Sequence, residues 1–282
     1  YHPEGTKTMH YFTGSRMATG MSFFQVGGNL GMALGPLFIT YAIALANLSG
    51  TLFYLLLGIP TFTTLLLFSK ELTLPAKDGR SDSRTEKGGS ATAGRTRVWG
   101  AMSLLVFAIS MRSWAHMGLI TFVPFYYIQV LRGDPITAGR LVFVFLMGGA
   151  TGTLIGAAIA DKIGHKYYFF LSMILSVPLL ILLLEVGGVW IFLILFLVGL
   201  LLISSFSVTI VMGQMILRNR LGMASGLTMG FVIGMGGIGA GLLGIVADFW
   251  GILTVLKLIA CMPAVGCIPI LLIPYPYKTP AG

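Results

Sequence analysis

The chain has 282 residues, 56% of them apolar and 10% charged, with a net charge of +9. A soluble domain carries roughly a quarter charged residues, so this composition excludes a water-soluble enzyme or nucleic-acid-binding module. The basic excess then reports topology and anionic lipid headgroups. Uncharged runs at 141–160, 167–184 and 221–247 approach or exceed the ~18–20 residues that cross the hydrocarbon core.

In chain order, eight spans are expected. The first, 21–46, holds Gln25, Asn29, Gly27, Gly31, Gly35 and Pro36, and a second follows at 51–69. The stretch 71–97 is polar, rich in Gly, Ser, Lys and Arg, and too poor in apolar residues to fold alone. The third span, 98–131, carries Arg112, His116 and the aromatic run Phe122 to Tyr127. The fourth, 141–160, contains Gly148, Gly152 and Gly156; the fifth is 167–184, and the sixth, 189–217, includes Gln214. The seventh, 221–247, contains Gly222, Gly226, Gly230 and Gly234, and the eighth is 252–274. The expected fold class is all-α, a polytopic membrane helix bundle.

Glycine at every fourth residue recurs in the first, fourth and seventh spans. Such a ladder lays a smooth stripe along one helix face and lets another helix approach to backbone contact in a bilayer. Bulk at Gly152 or Gly230 is therefore expected to jam a moving contact. A three-helix period in the stripe implies a repeated three-helix unit, the internal symmetry of secondary transporters.

Alternate loops must fall on opposite sides of the membrane. One side holds Lys7, Arg16, the cations from Lys70 to Arg97, Lys162, Lys166, Arg218, Arg220 and Lys278, whereas the other holds Arg132 and Arg140. The positive-inside rule makes the first side cytoplasmic, with both termini of this chain on it. Tyr1-His2-Pro3-Glu4 opens without a methionine or a leader, so an upstream part is expected. Two spans precede the linker and six follow it. The domain division is 1–70 as the partial end of an amino-terminal bundle, 71–97 as cytoplasmic linker, and 98–282 as a carboxy-terminal six-helix bundle.

Between the fourth and fifth spans, Ala157-Ala158-Ile159-Ala160-Asp161-Lys162-Ile163-Gly164-His165-Lys166 resembles the cytoplasmic signature loop of the major facilitator superfamily. Gly164 permits a tight reversal there, the cations suit helix carboxyl ends, and Asp161 can face a neighbouring helix amino terminus. An ordinary charged turn is the alternative. The resemblance implies a major facilitator fold and a latching role for the loop, with Asp161, Lys162, Gly164 and Lys166 as gating residues. Gly35-Pro36 is similar to the glycine-proline motif of proton-driven exporters in that superfamily. Phe24-Gln25-Val26-Gly27-Gly28-Asn29, Leu34-Gly35-Pro36-Leu37 and Gly222-Met223-Ala224-Ser225-Gly226-Leu227 together resemble the fosmidomycin resistance family. That family implies twelve helices and export of a small compound against inward proton flow, with half of the cavity and part of the proton path upstream of this chain. After Gln214 the chain departs from the family pattern, with Met215 and Arg218 in place of an acidic gate.

Ionisable groups at bilayer depth cost ~3 kcal/mol or more unless they face a cavity or a partner. Arg112 lies near the middle of the third span with His116 one turn on, on the same face. A guanidinium fork suits a carboxylate or phosphonate, and a histidine can titrate near neutral pH. Pairing with Glu4 or a carbonyl, or snorkelling from a shorter span, are the structural alternatives. Gln25, Asn29 and Gln214 can hydrogen-bond a substrate or neighbouring helices, and Glu4 is either a cavity carboxylate or part of a solvated turn. The aromatic run Phe122 to Tyr127 reads as an interfacial belt.

No zinc spacing, phosphate loop, nucleophile triad or ATP-binding motif occurs in the sequence, so no enzyme, cofactor or metal is expected and an ion gradient must supply the energy. The expected function is proton-coupled efflux of a small, anionic compound in the inner (plasma) membrane by a monomer, with substrate, protons and lipids as partners. A symporter or uniporter for another small molecule, or a non-transporting receptor or subunit on the same scaffold, are the alternatives.

Overall fold

The computed structural model describes residues 17–68, 91–218 and 220–274. Glu4 lies outside the described residues, as do 71–90 of the expected linker. In hydrocarbon no water satisfies a bare peptide group, so each apolar run closes its own hydrogen bonds as a helix, and no strand occurs among the described residues. α1 (Met17–Ala46) leads through a 3-10 turn (Asn47–Phe53) into α2 (Tyr54–Leu67). α3 (Ala91–Phe125) runs into a π turn (Tyr126–Val130) that begins two residues after Pro124, a residue that removes a donor from the ladder. α4 (Pro135–Ile163), α5 (His165–Leu182), α6 (Trp190–Ser204) and α7 (Phe206–Ile216) follow. α8 (Leu221–Ser225), a second π turn (Gly226–Phe231) and α9 (Val232–Trp250) make one rod, followed by α10 (Ile252–Leu272).

Seven of these stretches are long and apolar enough to cross a membrane among the described residues. α1, with 30 residues and no charge, takes the place of the remaining expected span. The helices overrun the expected spans where the sequence caps them. α4 starts at Pro135, six residues before the expected 141, because Asp134 accepts the Thr137 N–H at 2.8 Å. Residues 91–97, expected as linker, form the first turns of α3.

The fourth-span ladder makes the contact expected of it. A Cβ on Gly148 would stand 2.9 Å from the Phe196 carbonyl carbon, and one on Gly152 would stand 2.7 Å from Leu200 Cα. Gly199 answers from α6, its face lying against the Phe145 carbonyl. The other two ladders differ from expectation. Among the described residues, a Cβ on Gly27, Gly31, Gly222, Gly226, Gly230 or Gly234 would meet nothing within 4 Å. Among the described residues a Cβ on Gly35 would meet the Tyr54 hydroxyl alone, which donates to the Gly35 carbonyl at 3.0 Å. Geometry explains the seventh span: its buried residues Ser225, Met229, Val232, Gly236, Gly239 and Leu243 run at helical spacing, and the ladder occupies the opposite face. The glycines of that helix that do pack are Gly236, against Ser113 and Met117, and Gly239, against Trp114. The Pro36 side chain lies outside the described ones.

The aromatic run of the third span also divides instead of forming one belt. Phe122 and Tyr126 are buried, Phe125 is exposed, and the Tyr127 ring covers Gly133. α3 packs on α9 and α10, α4 packs on α1 and α6, and α5 packs on α10. The middle of α3 is buried by these contacts, with Leu105, Ala108, Ile109, Arg112 and Ala115 all inside.

Candidate functional site

Arg112 is 2% exposed and stands 15 residues from Arg97 and 18 from Val130 along one continuous helix. At 1.5 Å per residue the two ends are ~22 Å and ~27 Å away, and the side chain is buried inside the protein instead of reaching toward either end. Its guanidinium carbon sits 4.7 Å from the centre of the Phe206 ring, a cation–π contact that covers one face of the fork. Among the described residues it has neither a salt-bridge nor a hydrogen-bond partner, and Nε is fully enclosed. One turn on, the His116 ring lies 5.7 Å from Phe145 of α4. His116 Nε2 is buried without a partner, and so is Trp114 Nε1.

Many of the buried and half-buried hydroxyls of the bundle, by contrast, are committed. Ser110, Thr151, Thr153, Ser172, Ser176, Ser204, Thr209 and Thr228 each donate to a carbonyl three or four residues back in their own helix. Such a hydroxyl has lone pairs to offer and no free proton. The interior therefore presents acceptors widely, and on α3 Arg112 and His116 share a face while Trp114 turns to the other side, against Gly239. Ser207 Oγ and Gln25 Oε1 are the other buried unpartnered atoms among the described residues.

Gln25 and Asn29 form a polar thread between helices. Gln25 Nε2 donates to Asn29 Oδ1 at 3.3 Å, and Asn29 Nδ2 donates to Thr153 Oγ1 at 3.2 Å. Thr153 donates onward to the Gly149 carbonyl at 2.7 Å. The thread joins α1 to α4, the use in helix association that such amides often have. Gln214, buried on α7, donates to Ser225 Oγ of α8 at 3.2 Å. Neither pair reaches Arg112 by a hydrogen bond.

The signature loop is compact. Gly164 takes φ 100°, a region that L side chains avoid, so α4 ends and α5 begins on either side of one glycine. Asp161 Oδ1 and His165 Nε2 lie 3.2 Å apart, and Lys162 faces outward. Lys166 Nζ donates to the Leu271 carbonyl at 2.9 Å and the Ile273 carbonyl at 2.8 Å, satisfying orphan acceptors at the end of α10 where a cation is favoured.

Phe206, Trp114 and Thr153 were not singled out by sequence reasoning. Ser204-Ser205 preceding Phe206 interrupts an otherwise apolar span and is the one local signal that the helix breaks there. Trp114 and Thr153 gain their significance from helices far away in the chain.

The major facilitator superfamily model matches residues 5–229. Over 277 residues the chain is 31% identical to the fosmidomycin resistance protein of Escherichia coli (strain K12), covering 96% of this chain and 66% of that protein. It is 33% identical to the uncharacterized MFS-type transporter YfnC of Bacillus subtilis (strain 168), covering 96% of this chain and 67% of that protein. The chain thus spans about two thirds of the length of these relatives. With a helical membrane bundle, a glycine-hinged loop between α4 and α5 and this family match, the chain belongs to the major facilitator superfamily.

Proposed function

We propose that the protein exports a small anionic compound in exchange for protons by alternating access, with Arg112 as the anion-binding group. The observation that carries this reading is the pair of buried, unpartnered nitrogens one turn apart on the same face of α3, Arg112 Nε and His116 Nε2. A buried guanidinium with no carboxylate is stable only if a cavity or a ligand supplies the counter-charge, and an anion with several oxygens meets both the charge and the hydrogen-bond demand. His116, one turn away on the same face, is proposed as a proton-coupling group. Glu4 is proposed as a further proton-coupling group. The cation distribution supports an inner-membrane orientation with both ends of this chain cytoplasmic. The loop Asp161 to Lys166, tied to the end of α10, supports a gating role on that side. The name of the Escherichia coli relative makes fosmidomycin the first compound to try.

The test is flux into inside-out vesicles carrying the whole protein of which this chain is part. Accumulation of labelled fosmidomycin is expected when the vesicle interior is acid, and collapse on adding a protonophore. Accumulation to equilibrium only, indifferent to the pH gradient, would make the protein a uniporter. No flux of any anion, together with normal flux in Arg112→Gln for another substrate, would remove Arg112 from the site.

A further inference from the structure

A pocket lies apart from Arg112, where α3, its π turn, the end of α9 and the start of α10 meet. It has a volume of about 250 Å³ and is lined by Phe122, Phe125, Gln129, Gly244, Ala247, Asp248 and Ile252. Two of its lining positions are small, and a Cβ on Gly244 would meet nothing within 4 Å. The Phe122 and Phe125 rings stand 6.5 Å apart at a 45° tilt and form an aromatic wall. Asp248 is the one charged residue in the lining, and among the described residues it has no ion-pair or hydrogen-bond partner. Exposed Phe249 and Trp250 follow it at once, which puts the cavity at the level of the interfacial aromatic belt.

We propose that this cavity binds the ammonium group of a small organic cation. The carboxylate of Asp248 sets the sign of the charge, and the Gln129 side-chain oxygen offers a neutral acceptor. Ring faces attract an alkylammonium. A bare metal ion does not suit the lining, because a hard cation requires six to eight oxygens and this wall is largely hydrocarbon. The volume falls below that of drug-sized pockets, which start near ~300 Å³, and suits a compact amine or a lipid ethanolamine headgroup. Both sources share the same chemistry. This site does not depend on the anion-binding reading of Arg112: the two lie at different depths and take opposite charges.

The experiment uses the whole purified protein and two arms. In detergent, binding of benzylammonium chloride is measured by calorimetry against matched sodium chloride. In nanodiscs, thermal stability is compared in phosphatidylethanolamine with phosphatidylglycerol and in phosphatidylglycerol alone. The expected result is benzylammonium binding that weakens about tenfold or more in Asp248→Asn, as loss of a charge-assisted partner requires. Gly244→Leu, which fills the cavity and keeps the carboxylate, should weaken it as well. If phosphatidylethanolamine stabilises the wild-type protein and not Asp248→Asn, the natural occupant is a lipid headgroup; if only the soluble amine discriminates, it is a free amine. Equal behaviour of wild type and Asp248→Asn in both arms overturns the proposal, as does benzylammonium binding that survives Gly244→Leu undiminished.

Discussion

Adding one methyl group to Gly152 tests whether the glycine ladder of α4 carries a backbone contact. The new Cβ would lie 2.7 Å from Leu200 Cα and closer still to its carbonyl oxygen. Carbon atoms settle at about 3.5–4.0 Å, so α4 and α6 must part by about 1 Å, and backbone cannot rotate away as a side chain can. Overpacking of this kind costs ~1–3 kcal/mol, partly offset by the ~1 kcal/mol that alanine gains over glycine in a helix. Separation would also loosen the flanking contacts of Gly148 and Gly199, which places the cost at the upper end. Gly230→Ala meets nothing within 4 Å among the described residues and should keep the helix-propensity gain alone. Thermal unfolding of the purified variants is the assay. Gly152→Ala should melt several degrees lower, at roughly 2–4 °C per kcal/mol, while Gly230→Ala melts at or above the wild type. Equal destabilisation by both, or none at Gly152, would refute the placement of the helices.

In a binding assay, Arg112→Lys should weaken anionic substrate partly, because charge is kept and the fork is lost, and Arg112→Gln should weaken it more. His116→Gln should flatten the pH dependence, and an unmoved profile would assign the proton elsewhere. Thr153→Val removes the acceptor of Asn29 Nδ2 and should cost about 1 kcal/mol, read as a lower melting point that Asn29→Leu in the same chain partly restores. At Asp134, outside the spans, the side-chain hydrogen bond with Thr137 holds the carboxyl below its usual value. A depressed folded value means that the cap is intact above the ordinary range near ~4 and fails as pH falls through the folded value. Hydrogen exchange in the first turn of α4 should therefore quicken under acid relative to its intrinsic rate, and Asp134→Ser should abolish that acid sensitivity.

Length and apolarity made the spans legible, since a bilayer leaves the backbone no alternative to the helix. The meaning of the ladders was less so. Spacing shows that Gly222 to Gly234 share a face, but the face that meets a neighbour is set by Ser113 and Trp114 on a helix more than a hundred residues away, which select Gly236 and Gly239 instead. Arg112 announced itself by the expense of its charge. Its companion Phe206 did not, because a phenylalanine in an apolar span has many equivalent uses until the fold sets its ring over a guanidinium. Lys166 was legible as a loop cation; its two carbonyl partners at the end of α10 are long-range facts.

That last attachment has a practical consequence. Because the Lys166 ammonium holds the Leu271 and Ile273 carbonyls, the final turn of α10 and the α4–α5 loop form a single mechanical joint. A fluorophore placed just after Ile273 would ride on that joint and report the loop's position without a label in the loop itself. A rigid fusion at the same point would load the joint and slow whatever motion it makes.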